Sequence, residues 1–198
     1  MMSKGREIAE GIAISAIAYV ALFAFHHNLF TVFDMSARTA VFFIPAAARV
    51  FCTLIFGYWA GAGIALGTIA NSLFVSETDT DQNNHHVWLL GMAAGLACSL
   101  SLLLWSMVSR RVNGLVSPQI DFYSITWRDI LGFSVIQAVL NSSLTHLLFL
   151  NFPDYHLDVS AYLFAVMFVG DLSGAFLIFI ASNLCFSLWL RLRPRGQA

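Results

Sequence analysis

Long apolar stretches separated by short polar connections dominate this sequence. A helix needs about 20 mostly apolar residues to cross the hydrocarbon core of a bilayer. Six stretches meet this requirement, so the sequence predicts an all-α, polytopic integral membrane protein that forms a single transmembrane domain over residues 1–198. The predicted spans cover about residues 8–27, 39–56, 58–75, 87–108, 128–150 and 160–189, with a tight corner at Gly57-Tyr58-Trp59 between the second and third.

The composition supports membrane insertion and argues against several classes of function. Hydrophobic residues make up 59% of the chain and charged residues 11%, whereas soluble domains carry roughly 25% charged residues. The net charge of −1 gives no basic field for nucleic acid. Motifs of nucleophilic, metal-dependent and nucleotide-binding enzymes do not occur. We therefore expect no enzymatic activity, no cofactor and no metal site.

The positions of lysine and arginine predict how the spans are oriented. Cytoplasmic connections of membrane proteins carry an excess of these residues. With six spans, eight of the ten lysines and arginines fall near span ends on one side of the membrane, whereas the connections SETDTDQNNHH and NFPDYHLD on the other side contain none. Both termini are thus predicted to be cytoplasmic. The eight basic residues on the predicted cytoplasmic side are Lys4, Arg6, Arg110, Arg111, Arg128, Arg191, Arg193 and Arg195.

Two charged residues, Arg49 and Asp171, fall inside predicted spans, where charges are rare and costly. Each lies about ten residues from the outer end of its span, which corresponds to a depth of roughly 15 Å. This matching depth predicts a buried ion pair, because each charge would offset the desolvation of the other. Two alternatives remain open: a role of the charges in binding a ligand or proton, and a separate arginine that snorkels to the interface.

Uncharged polar residues also occur inside the predicted spans. Asn71 lies in the third span, and the run NSSLTH in the fifth contains Asn141, Ser142 and His146. Ser142 and His146 are four residues apart and share a helix face. This polar face predicts hydrogen bonds to other spans or a small wet cavity. His146 is interpreted as an interior histidine, with a ligand role as the alternative.

Small residues recur at the four-residue spacing that lets membrane helices approach closely. The second and third spans contain Gly57, Gly61, Gly63 and Gly67, and the sixth contains Gly170 and Gly174 on either side of Asp171. We expect these glycines to mark contacts between helices. Glycines beside Asp171 would allow a neighbouring segment to come close to the carboxylate.

Two segments together resemble the first type of bacterial membrane-associated sensor (MASE) domain. The first is IPAAARVFCTLIFGYWAGAGIALGTIANSL, and the second is FVGDLSGAF. The resemblance implies a short standalone sensor-like domain in the bacterial cytoplasmic membrane. It implies sensing of an unidentified cue and output through a separate signalling protein, without catalysis. The residues that carry it are Pro45, Gly57, Trp59, Gly61, Gly67, Asn71, Gly170, Asp171 and Gly174.

The sequence therefore leaves two candidate functions. The first is a sensor-like or interaction module that acts through a cytoplasmic or membrane partner, in contact with membrane lipids. The second is a small substrate-capture subunit of a membrane transporter. A capture subunit should contain an outward-opening cavity lined by Arg49, Asp171 or the NSSLTH face. An interaction module should have a packed interior and a groove on its lipid-facing helices.

Overall fold

A computed structural model of the chain describes residues 4–29, 34–36, 39–75, 85–113, 126–151 and 161–192. Within these residues the fold is all-α in class, and its one other element is a pair of very short antiparallel strands. The predicted connections SETDTDQNNHH and NFPDYHLD, and the tail with Arg193 and Arg195, lie largely or wholly outside them. In chain order the elements are α1 Lys4–Leu29, β1 Asp34–Ser36, β2 Thr39–Ala40, α2 Ala46–Phe56, α3 Tyr58–Val75, α4 His85–Asn113, α5 Trp127–Asn151 and α6 Ala161–Leu192.

Four helices of the described chain are long and apolar enough to cross a membrane. At 1.5 Å per residue, a helix of 25 residues is about 37 Å long and exceeds the roughly 30 Å hydrocarbon core. The prediction of apolar membrane-type helices is therefore confirmed for these four. The qualifying segments are Lys4–Leu29, Val87–Val108, Trp127–Asn151 and Ala161–Cys185.

The second predicted span, residues 39–56, is helical only over α2. Its 11 residues form a helix of about 16 Å, which is half the thickness of the hydrocarbon core. Pro45 precedes the helix and disfavours helical geometry at the residue before it. The residues before Pro45 instead hydrogen-bond to α6: the Phe43 N–H donates to the Gly170 carbonyl at 2.9 Å, and the Ser173 hydroxyl donates to the Val41 carbonyl at 2.6 Å. Irregular backbone is tolerated at membrane depth when protein satisfies it in this way.

The corner between α2 and α3 consists of Gly57 alone. Gly57 has a φ of +66°, a left-handed conformation that glycine adopts without steric cost. Its N–H donates to the Thr53 carbonyl at 3.0 Å and so closes the last turn of α2. The predicted tight corner at Gly57-Tyr58-Trp59 is present, because α2 ends at Phe56 and α3 begins at Tyr58.

Glycines allow α3 to pack closely on both of its neighbours. A Cβ atom on Gly61 would lie 2.7 Å from the Gly95 carbonyl oxygen, and one on Gly95 would lie 2.5 Å from that of Gly61. On the α1 side, a Cβ on Gly63 would collide with the Ile12 carbonyl, and one on Gly67 would lie 3.0 Å from the Ala16 carbonyl. The predicted packing roles of Gly61, Gly63 and Gly67 therefore correspond to close backbone contacts.

Contacts at successive positions along each helix show that the later helices are antiparallel to their neighbours. Between α4 and α5, Gln137 contacts Cys98 and Gly132 contacts Trp105. Between α5 and α6, Asn141 contacts Asp171 and His146 contacts Phe164.

The start of α5 is fixed by a capping box in which the Thr126 N–H donates to the Asp129 carboxylate at 2.8 Å.

The short helix α2 lies at the centre of the bundle and contributes to both of its hydrophobic clusters. Eight of its 11 residues are buried. One cluster joins α1, α2, α3 and α4, and the other joins α2, α4, α5 and α6. The first contains Tyr19, Ala48, Cys52, Ala60, Ile64, Ala94 and Cys98, and the second contains Val50, Leu54, Leu102, Phe133 and Ala175.

Candidate functional site: a buried ion pair among four helices

Arg49 and Asp171 form an ion pair in the interior of the bundle. Arg49 Nη1 lies 3.0 Å from Asp171 Oδ1 and 3.1 Å from Oδ2, so both carboxylate oxygens accept from one nitrogen. Each residue is only 5% exposed. The structure thus brings together the two charges that the sequence places at equal depth, and it rules out the interpretation in which Arg49 snorkels separately to the interface.

The approach of α2 to α6 positions the pair. Helix α2 and the segment before it run in the same direction as α6, with Ala40 beside Gly170 and Phe43 beside Gly174. A Cβ atom on either glycine would collide with a carbonyl oxygen of that segment. Because the glycines flank Asp171 in sequence, their lack of side chains lets the chain before α2 lie directly against α6 beside the carboxylate.

Two further side chains complete the polar network. The Asn141 amide on α5 donates to Asp171 Oδ2 at 2.6 Å. On the other side, Arg49 Nη2 donates to the Tyr19 hydroxyl on α1 at 3.3 Å. The network therefore connects α1, α2, α5 and α6 through four buried side chains, and a hydrogen bond to a charged group contributes roughly 1.5–3 kcal/mol to stability.

Aromatic rings cover the guanidinium. The Arg49 Cζ atom lies 5.1 Å from the centre of the Phe43 ring and 5.6 Å from that of Tyr19. Both distances fall within the range of cation–π attraction, which is stronger at desolvated sites. Phe43 also packs edge-on against Phe23 and His26 near the end of α1. The arginine is therefore enclosed by aromatic groups and opposed by one carboxylate.

Two of the buried polar atoms without a hydrogen-bond partner within the described residues belong to the network itself or to a residue next to it in sequence. These are Arg49 Nε and the hydroxyl oxygen of Ser142, the residue next to Asn141. Asp171, in contrast, accepts three hydrogen bonds. Both carboxylate oxygens are thus hydrogen-bonded, and the polar groups without a partner within the described residues include the Arg49 Nε–H and the Ser142 hydroxyl.

The other predicted interior polar residues lie apart from the hydrogen-bonded network. Asn71 is buried on α3, and its Nδ2 atom has no partner among the described residues. His146 packs its ring edge-on against Phe164 at 5.9 Å between ring centres. Of the four interior polar residues named from the sequence, the structure brings only Asn141 into hydrogen-bonding contact with the ion pair.

Sequence reasoning missed Tyr19, which lies in the middle of the first span and supplies the hydroxyl for Arg49. It also missed Gln137, which is 1% exposed and donates to the Cys98 sulfur at 3.8 Å. Their depth in the span could have identified them, because each of these residues lies near the middle of its apolar run, as Arg49 and Asp171 do.

Pro45 is buried at the start of α2, where it ends the irregular segment.

An open groove of about 280 Å³ lies away from the ion pair, on the outward face of α6, which is the face that points out of the bundle. Its lining residues are apolar apart from one tyrosine hydroxyl, and the charged pair is not among them. They are Val41, Tyr162, Ala165, Val166 and Val169.

No protein-family model, curated protein or solved structure is significantly similar to this chain. The geometry of the site and the pattern of the sequence are therefore the observations on which a function is argued.

Replacing Asn141 with alanine is expected to lower stability by about 1.5–3 kcal/mol, because Asp171 then loses a buried charge-assisted hydrogen bond. Thermal unfolding of the purified chain in lipid nanodiscs measures the effect. Asn151→Ala is the matched control, since Asn151 is exposed at the end of the same helix and, within the described residues, donates to the Leu147 carbonyl. Equal shifts of the unfolding midpoint for the two variants would contradict the role given to Asn141.

Proposed function

We propose that this chain is a sensor-like integral membrane module that acts through a partner protein and performs neither catalysis nor transport itself. The observation that carries the proposal is the burial of the two charges against each other. Arg49 and Asp171 are buried and paired with each other, and the open groove lies on the outward face of α6. This combination is what an interaction module should have, and it differs from a solute site lined by the charged pair.

We further propose that the chain crosses the bacterial cytoplasmic membrane six times, with both termini in the cytoplasm. The antiparallel order of α3, α4, α5 and α6 supports this count. Segment 39–56, which combines irregular backbone with α2, would serve as a composite second crossing. Eight of the ten lysines and arginines lie at one set of span ends and only Arg38 lies at the other, and this imbalance supports the orientation.

The proposed signal passes along α6. Its outer half carries the contacts with the segment before α2, at Gly170, Ser173 and Gly174. Its inner half leads toward the basic end of the chain. A cue that displaces the irregular segment would move Asp171 relative to Arg49 and so shift α6 as a rigid rod. The resemblance to MASE domains supports an output through a separate cytoplasmic or membrane signalling protein.

A substrate-capture subunit is the second candidate, and one observation favours it. Arg49 Nε and the Ser142 hydroxyl are buried polar groups without partners in the described chain, and a small polar solute would satisfy such groups. This function requires the aromatic cover formed by Phe43 and Tyr19 to open.

Purification from native membranes directly into lipid nanodiscs, followed by mass spectrometry, tests the proposal. We expect a signalling protein in stoichiometric amount. Gly174→Ala, which displaces the segment before α2, is expected to reduce recovery of that partner, whereas unrelated membrane proteins are recovered equally with both chains. A transport ATPase or a bound small molecule in place of a signalling protein would overturn the proposal and favour the capture subunit.

A further inference from the structure

Residues 180–185 of α6 have no covering neighbour within the described chain. Every residue from 180 to 185 is exposed, as is Leu188. Helix α2 accompanies α6 only as far as the stacked rings of Phe51 and Phe179 and ends at Phe56. Beyond this level α6 continues to Leu192 without the helix that covers its outer half.

One face of this uncovered segment carries an ordered stripe of side chains. At 100° per residue, the stripe falls within an arc of about 140°. It repeats at the spacing that packs two helices along a shared seam. We call this face the α6 seam; its residues are Leu177, Ile180, Asn183, Leu184, Ser187 and Leu188.

Asn183 is the unusual member of the α6 seam, because it is a carboxamide exposed within the membrane-crossing segment Ala161–Cys185. Its Oδ1 atom accepts a hydrogen bond from Ser187 at 3.4 Å, which leaves the amide hydrogens for another acceptor. Lipid tails offer no acceptor, and asparagine in membrane helices hydrogen-bonds to neighbouring helices.

The chemistry of the α6 seam favours a second copy of this chain over an unrelated helix. A carboxamide is both donor and acceptor, so two Asn183 side chains related by a two-fold axis satisfy each other. Copies inserted in the same orientation run parallel about an axis along the membrane normal, and this arrangement brings identical positions together. No charged residue occurs between Asp171 and Arg191, so a symmetric pair has no like-charge repulsion along the seam.

We propose that the chain forms a parallel homodimer through the α6 seam, with Asn183 of each copy hydrogen-bonded to Asn183 of the other. The proposal stands apart from the partner-dependent function above, because it requires only the chain itself.

Disulfide cross-linking in native membranes tests the dimer. Cys52 and Cys98 are buried and Cys185 is exposed, so Cys185→Ser provides a background without an exposed native cysteine among the described residues. In this background we expect Ile180→Cys and Leu184→Cys to yield a disulfide-linked species of twice the chain mass of 21.8 kDa under mild oxidation. Ser182→Cys, on the opposite face of the helix, is the matched control, and the unaltered chain tests Cys185, which lies outside the seam.

Strong cross-linking at 180 and 184, with little at 182 and 185, would establish the seam. Equal cross-linking at all four positions, no dimer at any of them, or a cross-link to a different protein would overturn the proposal. Because all four side chains are exposed, these substitutions do not disturb the packed interior.

A second measurement tests Asn183 itself. Energy transfer between labelled copies in nanodiscs or vesicles gives the dimer dissociation constant at several protein-to-lipid ratios. Asn183→Ala is expected to raise this constant between about three-fold and about thirty-fold, the range found for hydrogen bonds between membrane helices. Ser182→Ala should leave it unchanged. An unchanged constant for Asn183→Ala would contradict the role assigned to the amide.

Discussion

Arg49→Ala is expected to lower the stability of the chain by about 3–5 kcal/mol, because the substitution leaves the Asp171 carboxylate buried without its counter-charge. The loss should appear as reduced abundance in the membrane and as a lower unfolding midpoint in nanodiscs. Asp171→Ala should have a similar effect, since it strands a guanidinium enclosed by Phe43 and Tyr19. The losses of stability expected for Arg49→Ala and Asp171→Ala are the largest of any single substitution.

The double substitution separates an ion pair from two independent residues. Arg49→Ala combined with Asp171→Ala should recover part of the loss, because neither charge then remains buried alone. An additive loss in the double variant would show that the pair contributes nothing. Stable single variants that lose function would instead assign the charges to a ligand.

A second ion pair in the same chain provides the control. Arg6 and Glu10 are 2.8 Å apart, but their side chains are 66% and 45% exposed. Exposed pairs contribute about 0–1 kcal/mol, so Arg6→Ala should change stability little. Each substitution removes one partner of an ion pair, so the difference between the two losses of stability measures the effect of burying the pair.

Gly174→Ala is expected to destabilise the chain by overpacking the contact between α6 and the segment before α2. A Cβ atom at this position would overlap the Phe43 carbonyl oxygen and lie 2.9 Å from the Ile44 nitrogen. These are backbone atoms, which cannot rotate away, so α6 and the segment before α2 must separate. Overpacking of this kind costs typically 1–3 kcal/mol and sometimes more. Weakened contact between Arg49 and Asp171 should accompany it.

The comparison with Gly5→Ala keeps this prediction falsifiable. No atom lies within 4 Å of a Cβ built on Gly5, so alanine there should be tolerated. Thermal unfolding and protease sensitivity of the two variants measure the difference. If Gly174→Ala is as stable as Gly5→Ala, the close packing of Phe43 on α6 is wrong.

Much of the helix arrangement follows from the apolar pattern alone. Segment 58–75 is helical over the predicted residues, and the other long helices extend one to five residues beyond the predicted span ends, except that α6 begins one residue inside its span. The apolar pattern marks where the apolar residues stop, whereas helical backbone hydrogen bonds continue into the polar residues that flank each span. The exception is segment 39–56, where hydrogen bonds from Phe43 and Ser173 replace helical ones. Such bonds depend on a helix more than 100 residues later and leave no local signal.

The candidate site was predictable in its charges and less so in its uncharged members. Depth from the membrane surface relates Arg49 to Asp171, because helix rise per residue is constant. Which face of each helix points inward depends on packing against neighbours. The run NSSLTH therefore indicated a polar face, but it did not indicate that Asn141 meets the carboxylate while Ser142 does not. Tyr19 was overlooked because tyrosine is mostly apolar and does not interrupt a hydrophobic run.

The 122 residues that separate Arg49 from Asp171 also set an order of events during synthesis. Ribosomes emit the chain from its N-terminus, so the arginine and the unpaired carbonyls before α2 reach the membrane long before the helix that satisfies them. Until α6 arrives, this region has neither its counter-charge nor its backbone partners. The segment before α2 is consequently completed by α6, and a chain interrupted before α6 should be recognised by quality-control proteases as unfinished.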